Sequence, residues 1–182
     1  MADSGAAGAS ATAVADGIEL IRLDSTAPRI AELRAAVLRL RLAPGQRRLS
    51  GEATTTLPRA DVDPNRFPFA VLRGGTPVGF GIIDLVGCLS EITPDPEHAV
   101  LLRAFYIDAG WQCQGIGRAA CRALDPLVRD IAPHAREILL TVHDPNPKAL
   151  RAYLAGGFEH TGRRYLGTEA RPQVVLRRPV RG

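Results

Sequence analysis

A glycine-rich turn, Gln112-Cys113-Gln114-Gly115-Ile116-Gly117-Arg118-Ala119, joins an apolar run, residues 99–107, to an amphipathic run that begins at Ile116. The apolar run predicts a strand and the amphipathic run predicts a helix. A strand that feeds a glycine-rich turn into a helix aims unpaired backbone N–H groups at one point, and the helix dipole adds positive potential there. The sequence therefore predicts a phosphate-binding turn at residues 112–119.

A second segment has the start and stop signals of a short helix: Asn146-Pro147-Lys148-Ala149-Leu150-Arg151-Ala152-Tyr153-Leu154-Ala155-Gly156-Gly157-Phe158. Asn146 before Pro147 is typical of an N-cap and a first helical residue. Gly156 or Gly157 fits the left-handed residue that ends a helix. Positions i, i+3, i+4, i+7 and i+8, counted from Asn146, then share one face, and Tyr153 lies on it.

Together the two segments resemble the GNAT superfamily of acetyl-CoA-dependent N-acetyltransferases. The first has the Gln-x-x-Gly-x-Gly spacing of that family's pyrophosphate loop, and the second matches its N-x-x-A-x-x-x-Y-x-x-x-G-F helix at every fixed position. The resemblance implies an α/β (α+β) fold. Its central sheet is mixed and mostly antiparallel, with a splayed strand pair and helices on both faces.

The pattern along the chain predicts further elements in the order of that fold. Residues 18–23 alternate like a strand, and Pro28 opens a helix. The helix after the glycine-rich turn covers residues 116–132, where Pro126 kinks or restarts it and Asp125 is a candidate local cap. The other predicted strands are residues 69–73, 78–86, 98–107, 137–142, 158–165 and 173–176.

Composition favours a globular protein of one domain. The chain has 182 residues, of which 46% are hydrophobic and 23% are charged, and it contains no run of eighteen apolar residues that could cross a membrane. Residues 1–16 are rich in Ala, Gly, Ser and Thr and have no basic head. We therefore expect a flexible tail at residues 1–16, an acetyltransferase domain over residues 17–182, and a cytoplasmic location without membrane association.

The charge and the cysteines exclude two other classes. The net charge is +4 and the pI is near 9.4, but the arginines are scattered, Lys148 is the only lysine, and few aromatic residues could stack on bases, so we expect no nucleic-acid partner. Cys88, Cys113 and Cys121 have no C-x-x-C spacing and the four histidines are isolated. We therefore expect neither a metal site nor a disulfide framework.

The resemblance implies where acetyl-CoA binds as a cosubstrate. In the family, the strands matched by residues 98–107 and 137–142 splay apart, and the pantetheine arm lies in the gap. An unpaired strand edge there can satisfy the amides of the arm and can stabilise an oxyanion. Asn146 has two compatible roles, as an N-cap and as a side-chain contact to the coenzyme. The predicted coenzyme-binding residues are Phe105, Tyr106, Ile107, Gln112, Cys113, Gln114, Gly115, Ile116, Gly117, Arg118, Ala119, Asn146 and Tyr153.

Tyr153 is the side chain that the resemblance proposes for catalysis, because a phenol placed at the sulfur can protonate the leaving thiolate. The base is less defined. Part of the superfamily uses a glutamate on the central strand, and the matching position here is Leu101. A water chain, a backbone carbonyl or another carboxylate such as Asp84 remains as the proton acceptor.

The expected acceptor is a small cationic amine, acetylated by direct attack in a ternary complex. No Lys or Arg occurs between Arg73 and Arg103, and acidic residues in that span and in the preceding loop could form a rim that concentrates cations. The run from Arg103 to Asp108 is also similar to the R-x-F-x-I-D run of polyamine-type members. The acidic residues are Glu52, Asp61, Asp63, Asp84, Glu91, Asp95 and Glu97.

Other assignments stay open at this point. An acetyltransferase acting on a protein N-terminus or lysine would need an open groove, and a non-catalytic acyl-CoA-binding protein would keep the phosphate loop without turnover. Many domains of this family also pair through their last strands. A homodimer is therefore compatible with the sequence, although residues 158–180 carry no firm interface signal.

Overall fold

One open sheet organises the chain. The computed structural model describes residues 12–144, 146–167 and 171–182. Its strands are β1 (Thr12–Ala15), β2 (Ile18–Arg22), β3 (Arg66–Arg73), β4 (Thr76–Asp84), β5 (Ala99–Ile107), β6 (Glu137–His143), β7 (Glu159–Tyr165) and β8 (Gln173–Pro179). Their order in the sheet is β1-β2-β3-β4-β5-β6-β8-β7.

Helices cover both faces of this sheet. The first helix begins at Pro28, as predicted, and ends at Val37. The helices are α1 (Pro28–Val37), α2 (Ala53–Asp61), α3 (Leu89–Ile92), α4 (Ile116–Arg122), α5 (Leu124–Ile131) and α6 (Pro147–Ala155). Buried residues of α4 and α5 pack on one face, whereas those of α1 and α2 pack on the other. The predicted fold class is therefore confirmed. No helix in the described ranges is long and apolar enough to cross a membrane.

The two central strands pair over a short distance and then part. β5 and β6 are parallel and pair from Ala99↔Glu137 to Leu101↔Leu139, whereas the other neighbouring strands are antiparallel. Beyond Leu101, β5 continues along β4, and β6 continues along β8. The splayed pair implied by the family resemblance is therefore present, and it leaves a gap through the sheet.

A bulge in β5 accompanies the gap. Ala104 has a φ of +49°, and the register with β4 shifts between Phe80 and Ile82. An extra residue in one strand bends that strand and re-aims its backbone groups. A non-glycine residue in the left-handed region is strained, and such strain is common at functional sites. The bulge therefore marks the part of β5 that faces the gap.

The predicted tail is wrong for Thr12–Ala15, because these residues form β1 and pair with β2. The turn between the two strands is Asp16-Gly17, whose φ values are +52° and +73°. Asp-Gly with both residues at positive φ is a strong signal for a two-residue hairpin, and it brings the chain back onto the free edge of β2. Residues 1–11 of the predicted tail lie outside the described residues. The domain extent, residues 17–182, stays a prediction.

The break in the helix after the glycine-rich turn is confirmed, but its expected cap is not. α4 and α5 meet at Ala123, and Pro126 lies in the first turn of α5, where its missing N–H costs no helical bond. Asp125 makes no capping hydrogen bond. It accepts a hydrogen bond from Nη2 of the buried Arg178 at 2.7 Å, because a buried guanidinium needs an anionic partner.

Candidate active site

A cleft of about 980 Å³ passes through the gap between β5 and β6. One side of it is lined by the glycine-rich turn and by α6. The other side is lined by residues around α3 and by β7 and β8, and the α1–α2 connection also borders the cleft. We call the first region the turn end, with Trp111, Gln112, Cys113, Gly115, Ile116, Gly117 and Arg118. We call the second the far end, with Arg66, Gly87, Cys88, Glu91, Arg103, Tyr165 and Gln173.

Backbone N–H groups dominate the turn end. Cys113 and Gly115 have φ values of +63° and +76°. Left-handed residues within a turn make successive backbone N–H groups face one concave surface. In the described part of the chain, no acceptor takes the N–H groups of residues 112–118. Unpaired amides that converge at the start of a helix attract an anion. This geometry agrees with the predicted phosphate-binding turn.

Side chains hold the turn in place. Gln112 Nε2 donates to the carbonyl oxygen of Ile107 at 2.9 Å and to Oε1 of Gln46 at 2.8 Å. Arg73 donates to Oε1 of Gln114 at 2.6 Å, and Gln114 does not line the cleft. These contacts tie the turn to β5 and to the α1–α2 connection.

Ala119 departs from the predicted coenzyme-binding set. It is buried and lies outside the cleft lining, and its N–H donates to the carbonyl oxygen of Gly115 at 3.0 Å. The Ala119 amide is therefore used within the chain.

The edge of β5 presents backbone groups to the cleft. Phe105, Tyr106 and Ile107 all line it, and beyond Leu101 the described residues include no strand paired with this edge. The Tyr106 side chain is buried, and its hydroxyl accepts a hydrogen bond from the Ala53 N–H at 3.0 Å. Burial also raises the pKa of Tyr106. What Tyr106 offers the cleft is therefore mainly its backbone.

Tyr153 stands in the middle of the cleft. It projects from α6, and its ring lies 6.1 Å from that of Phe105 and 5.8 Å from that of Phe158, centroid to centroid. No hydrogen bond to its hydroxyl is found within the described ranges. Burial, and then the proximity of Cys121, raise the pKa of Tyr153 above its usual value. The phenol is therefore protonated at neutral pH and has a proton to donate.

The predicted caps of α6 are confirmed. Oδ1 of Asn146 accepts a hydrogen bond from the Ala149 N–H at 3.2 Å, and Gly157 follows the helix at a φ of +95°. Asn146 and Lys148 also line the cleft. The contact between Asn146 and the coenzyme stays a prediction.

Asp84, the candidate base, lies outside the cleft lining. Its side chain is 1% exposed. Oδ2 accepts hydrogen bonds from Nε of Arg66 at 3.2 Å and from Nη1 of Arg103 at 2.8 Å, and Oδ1 accepts one from the Val86 N–H at 2.9 Å. This is the geometry of an anchor for two arginines, and not of a base in contact with a substrate.

The expected acidic rim is wrong in its placement. Of the seven acidic residues behind it, Glu91 lines the cleft and the other six do not. Most of these six acidic residues form ion pairs with basic residues. The arginines in these pairs either precede Arg73 in the chain or, in one case, are Arg103 itself. The ion pairs are Arg34–Asp61, Arg47–Glu52, Arg66–Asp63, Arg66–Asp84, Arg103–Asp84 and His98–Asp95.

Sequence reasoning missed the basic character of the far end. Arg66 and Arg103 line it, and Glu91 is the one carboxylate among the described lining residues. Arg103 could have been found from its place in the run before the turn. No sequence pattern marks Arg66, because only the pairing of β3 with β4 brings it to the cleft.

Comparison with known proteins agrees with the fold. A family model for the Acetyltransferase (GNAT) family matches residues 31–158. A search of curated protein sequences finds no match. The described residues hold no group of three or more potential metal ligands.

Solved structures share the fold at low sequence identity. The aminoglycoside acetyltransferase AAC(6')-Ib, in complex with paromomycin and acetyl-CoA, superposes with a TM-score of 0.67 at 19% identity, covering 90% of this chain and 94% of that chain. The GNAT domain of S. lividans PAT has a TM-score of 0.59 at 15% identity, covering 89% and 90%. A spermidine N-acetyltransferase SpeG chimera from Vibrio cholerae and hSSAT has a TM-score of 0.56 at 18% identity, covering 90% and 96%.

Sequence motifs, fold and family match all indicate the same family. At these identities the solved structures support the fold alone, whereas the family model covers well over half of the chain. The resemblance drawn from the two motifs is thereby confirmed. This protein belongs to the GNAT acetyltransferase family and is an acyltransferase.

Proposed function

We propose that this protein transfers an acetyl group from acetyl-CoA to a primary amine of a small molecule, by direct attack in a ternary complex. One observation carries the proposal: a single cleft joins the unpaired amides of the turn end, the hydroxyl of Tyr153 and the ionic far end. A thioester and an amine that enter from opposite sides would meet in the gap between β5 and β6.

The turn end is suited to the diphosphate of the coenzyme. Backbone N–H groups of residues 113–118 would donate hydrogen bonds to the phosphate oxygens, and the side chains of Arg118 and Lys148, which line the cleft, add positive charge. The pantetheine arm would follow the free edge of β5, where Phe105, Tyr106 and Ile107 offer backbone groups as a neighbouring strand would.

The transfer step involves the amine nitrogen, a backbone N–H of β5 and the hydroxyl of Tyr153. The amine nitrogen attacks the thioester carbonyl carbon, and a backbone N–H at the β5 bulge stabilises the oxyanion that forms, an effect typically worth about 3 kcal/mol. When the tetrahedral intermediate collapses, the carbon–sulfur bond breaks, Tyr153 protonates the leaving thiolate, and the proton that the attacking nitrogen loses restores the Tyr153 phenol. The amide and coenzyme A are the products.

A base is required because alkyl ammonium groups have a pKa near 10.4, so deprotonation at neutral pH costs about 4.6 kcal/mol. Glu91 is the carboxylate that meets this need. It is exposed, it lines the far end, and it forms no ion pair with any described residue. Glu91 takes the proton of the ammonium directly or through water, and Asp84 instead anchors Arg66 and Arg103.

Support for a small amine comes from the solved structures of the same fold, which include aminoglycoside and spermidine N-acetyltransferases. The net charge of the acceptor is a separate question. With six of the seven acidic residues outside the lining, the acidic rim no longer supports a cationic acceptor. A cytoplasmic location and a homodimer stay predictions.

A thiol-release assay with acetyl-CoA tests the proposal. The panel contains small amines, amino acids and peptides with a free N-terminus or lysine. We expect turnover with small amines. Turnover with peptides alone would instead favour a protein acetyltransferase. Binding of acetyl-CoA by calorimetry without any turnover would favour a non-catalytic binding protein.

The base is tested by Glu91→Gln, with Glu97→Gln as the matched control, since Glu97 is an exposed acid of the same connection outside the cleft lining. We expect Glu91→Gln to lower kcat/KM at pH 7 by about 100-fold. The loss should shrink as the pH approaches the pKa of the amine, because the substrate then needs no base. Equal activity of both variants would exclude Glu91.

A further inference from the structure

The far end of the cleft holds two guanidinium groups in fixed positions. Arg66 and Arg103 come from β3 and β5, and their side chains are 24% and 40% exposed. Both contact Oδ2 of Asp84, whose side chain is 1% exposed, and the Val86 N–H fixes the other carboxylate oxygen at 2.9 Å. Both arginines line the cleft, and the buried carboxylate holds them beside each other, although Arg66 also borders a second hollow.

Most of the donors on these arginines are unused. Asp84 engages Nε of Arg66 at 3.2 Å and Nη1 of Arg103 at 2.8 Å. The two Nη groups of Arg66, and Nε and Nη2 of Arg103, have no hydrogen-bond partner among the residues that the structure describes. Planar guanidinium groups with free N–H pairs match the geometry of a carboxylate.

Two further carboxylates, Asp63 and Glu91, lie near these arginines or line the same end of the cleft. Asp63 contacts Nε of Arg66 at 3.1 Å, but it lines a separate hollow beside Asp24 and Asp61 and not the cleft. Glu91 lines the cleft and has no ion-pair partner in the described ranges. The lining of the far end thus offers one free carboxylate and two anchored guanidinium groups, which complement a ligand that carries both an ammonium and a carboxylate.

We infer that Arg66 and Arg103 form a carboxylate-binding subsite, and that the acceptor is an amino acid or a closely related amine that carries a carboxylate. The inference rests on the proposed function, since the subsite positions the acceptor of that same transfer. The carboxylate lies against the two arginines, and the amine lies between Glu91 and the thioester. Asp84 is a positioning residue, because it acts through the arginines.

Matched acceptors test the inference without changing the protein. Each amino acid in the thiol-release assay is compared with its amide, which has no negative charge, and with its decarboxylated amine. We expect kcat/KM to be at least about tenfold higher for the best amino acid than for its two partners, as the loss of charged hydrogen bonds requires. Equal or better use of the amides and decarboxylated amines would overturn the inference while the proposed function stands. Absence of turnover with every amine would count against the proposed function.

Variants locate the subsite. Arg103→Leu and Arg66→Leu should each raise KM for the amino acid by about tenfold or more, and leave both KM for the decarboxylated amine and the Kd of acetyl-CoA unchanged. The control is Arg177→Leu, which removes the same charge from the exposed face of β8, where Arg177 pairs with Glu159. Each single variant leaves Asp84 with one arginine, so folding is preserved, and thermal melting checks this.

Two further measurements separate positioning from a structural defect. Asp84→Asn should raise KM for the amino acid with kcat nearly unchanged, whereas a damaged fold would lower kcat and acetyl-CoA affinity together. Calorimetry of the same amino acid with the enzyme–CoA complex gives a readout without turnover. Binding that weakens about tenfold in Arg103→Leu supports the inference, and binding that is equal in wild type and Arg103→Leu overturns it.

Discussion

The two ends of the cleft are built in opposite ways. The turn end uses backbone N–H groups of one continuous segment, residues 112–118, whereas the far end uses residues from five separated parts of the chain. The first site survives many side-chain changes, because amides are common to nearly all residues. The second depends on which side chains the fold brings together, such as Arg66, Glu91 and Arg103. Under the proposed function, the turn end would be a general coenzyme site and the far end a specific acceptor site.

The two ends also hold their geometry by different means. Left-handed backbone at Cys113 and Gly115 shapes the turn end. This conformation is readily adopted by glycine, but it costs a residue such as Cys113 about 1 kcal/mol of conformational energy. At the far end, a buried carboxylate fixes the guanidinium groups. Substitutions that change the backbone shape of the turn end should therefore change the affinity for the coenzyme. Substitutions that change charge at the far end should change the KM of the acceptor.

The largest effect is expected at Tyr153, where the two ends meet. Tyr153→Phe keeps the ring packed between Phe105 and Phe158 and removes the proton donor. We expect kcat to fall by about 100-fold or more, while the Kd of acetyl-CoA stays unchanged by calorimetry. A fully active variant would remove the acid role.

A change at the turn end should affect the coenzyme alone. Gly115→Ala places a side chain on a residue with a φ of +76°, and Gly74→Ala does the same at +54° outside the cleft. Both variants should lose about 1 kcal/mol of unfolding free energy from backbone strain. Only Gly115→Ala should weaken acetyl-CoA binding, by about tenfold, because its amides no longer converge. Equal affinities in the two variants would contradict the turn as the diphosphate site.

A smaller effect should come from the contact that joins the turn to the α1–α2 connection. Gln46 and Gln112 exchange hydrogen bonds of 2.8 Å and 3.3 Å between their side-chain amides. Gln46→Ala leaves Gln112 bonded to Ile107, but it removes both of these bonds and the one that Gln46 accepts from the Ala43 N–H, each worth about 1 kcal/mol. We expect about a fivefold weaker Kd for acetyl-CoA, and no change would show that the turn holds its shape alone.

The smallest effect concerns pH. Because burial raises the pKa of Tyr153, its phenol stays protonated above the pH at which a free phenol ionises. With saturating substrates, kcat should change by less than about twofold between pH 8 and pH 10, whereas an acid of ordinary pKa near 10 would be half ionised at the upper limit. The raised pKa would be contradicted if the wild type lost half of its kcat between pH 8 and pH 10 while the residual kcat of Tyr153→Phe stayed constant.

Much of the fold and of the turn end was predictable, because the signals are local. The apolar run of β5, the glycine spacing of the turn and the Asn146-Pro147 start of α6 each act within a few residues, and the structure contains all three. The hairpin at Asp16-Gly17 was equally local but was hidden by the small, polar composition of its surroundings. The far end was not predictable, since its acidic and basic residues pair across β3, β4 and β5.

The sequence by itself determined the family, most of the order of elements and the backbone shape of the glycine-rich turn, because periodicity, caps and glycine spacing encode backbone shape directly. Only the tertiary structure decided which charges meet. Asp84 looked like a free carboxylate along the chain, yet sheet register placed Arg66 beside it and Arg103 against it. Charge acts through distance in space, and residues far apart in sequence become partners only when strands pair.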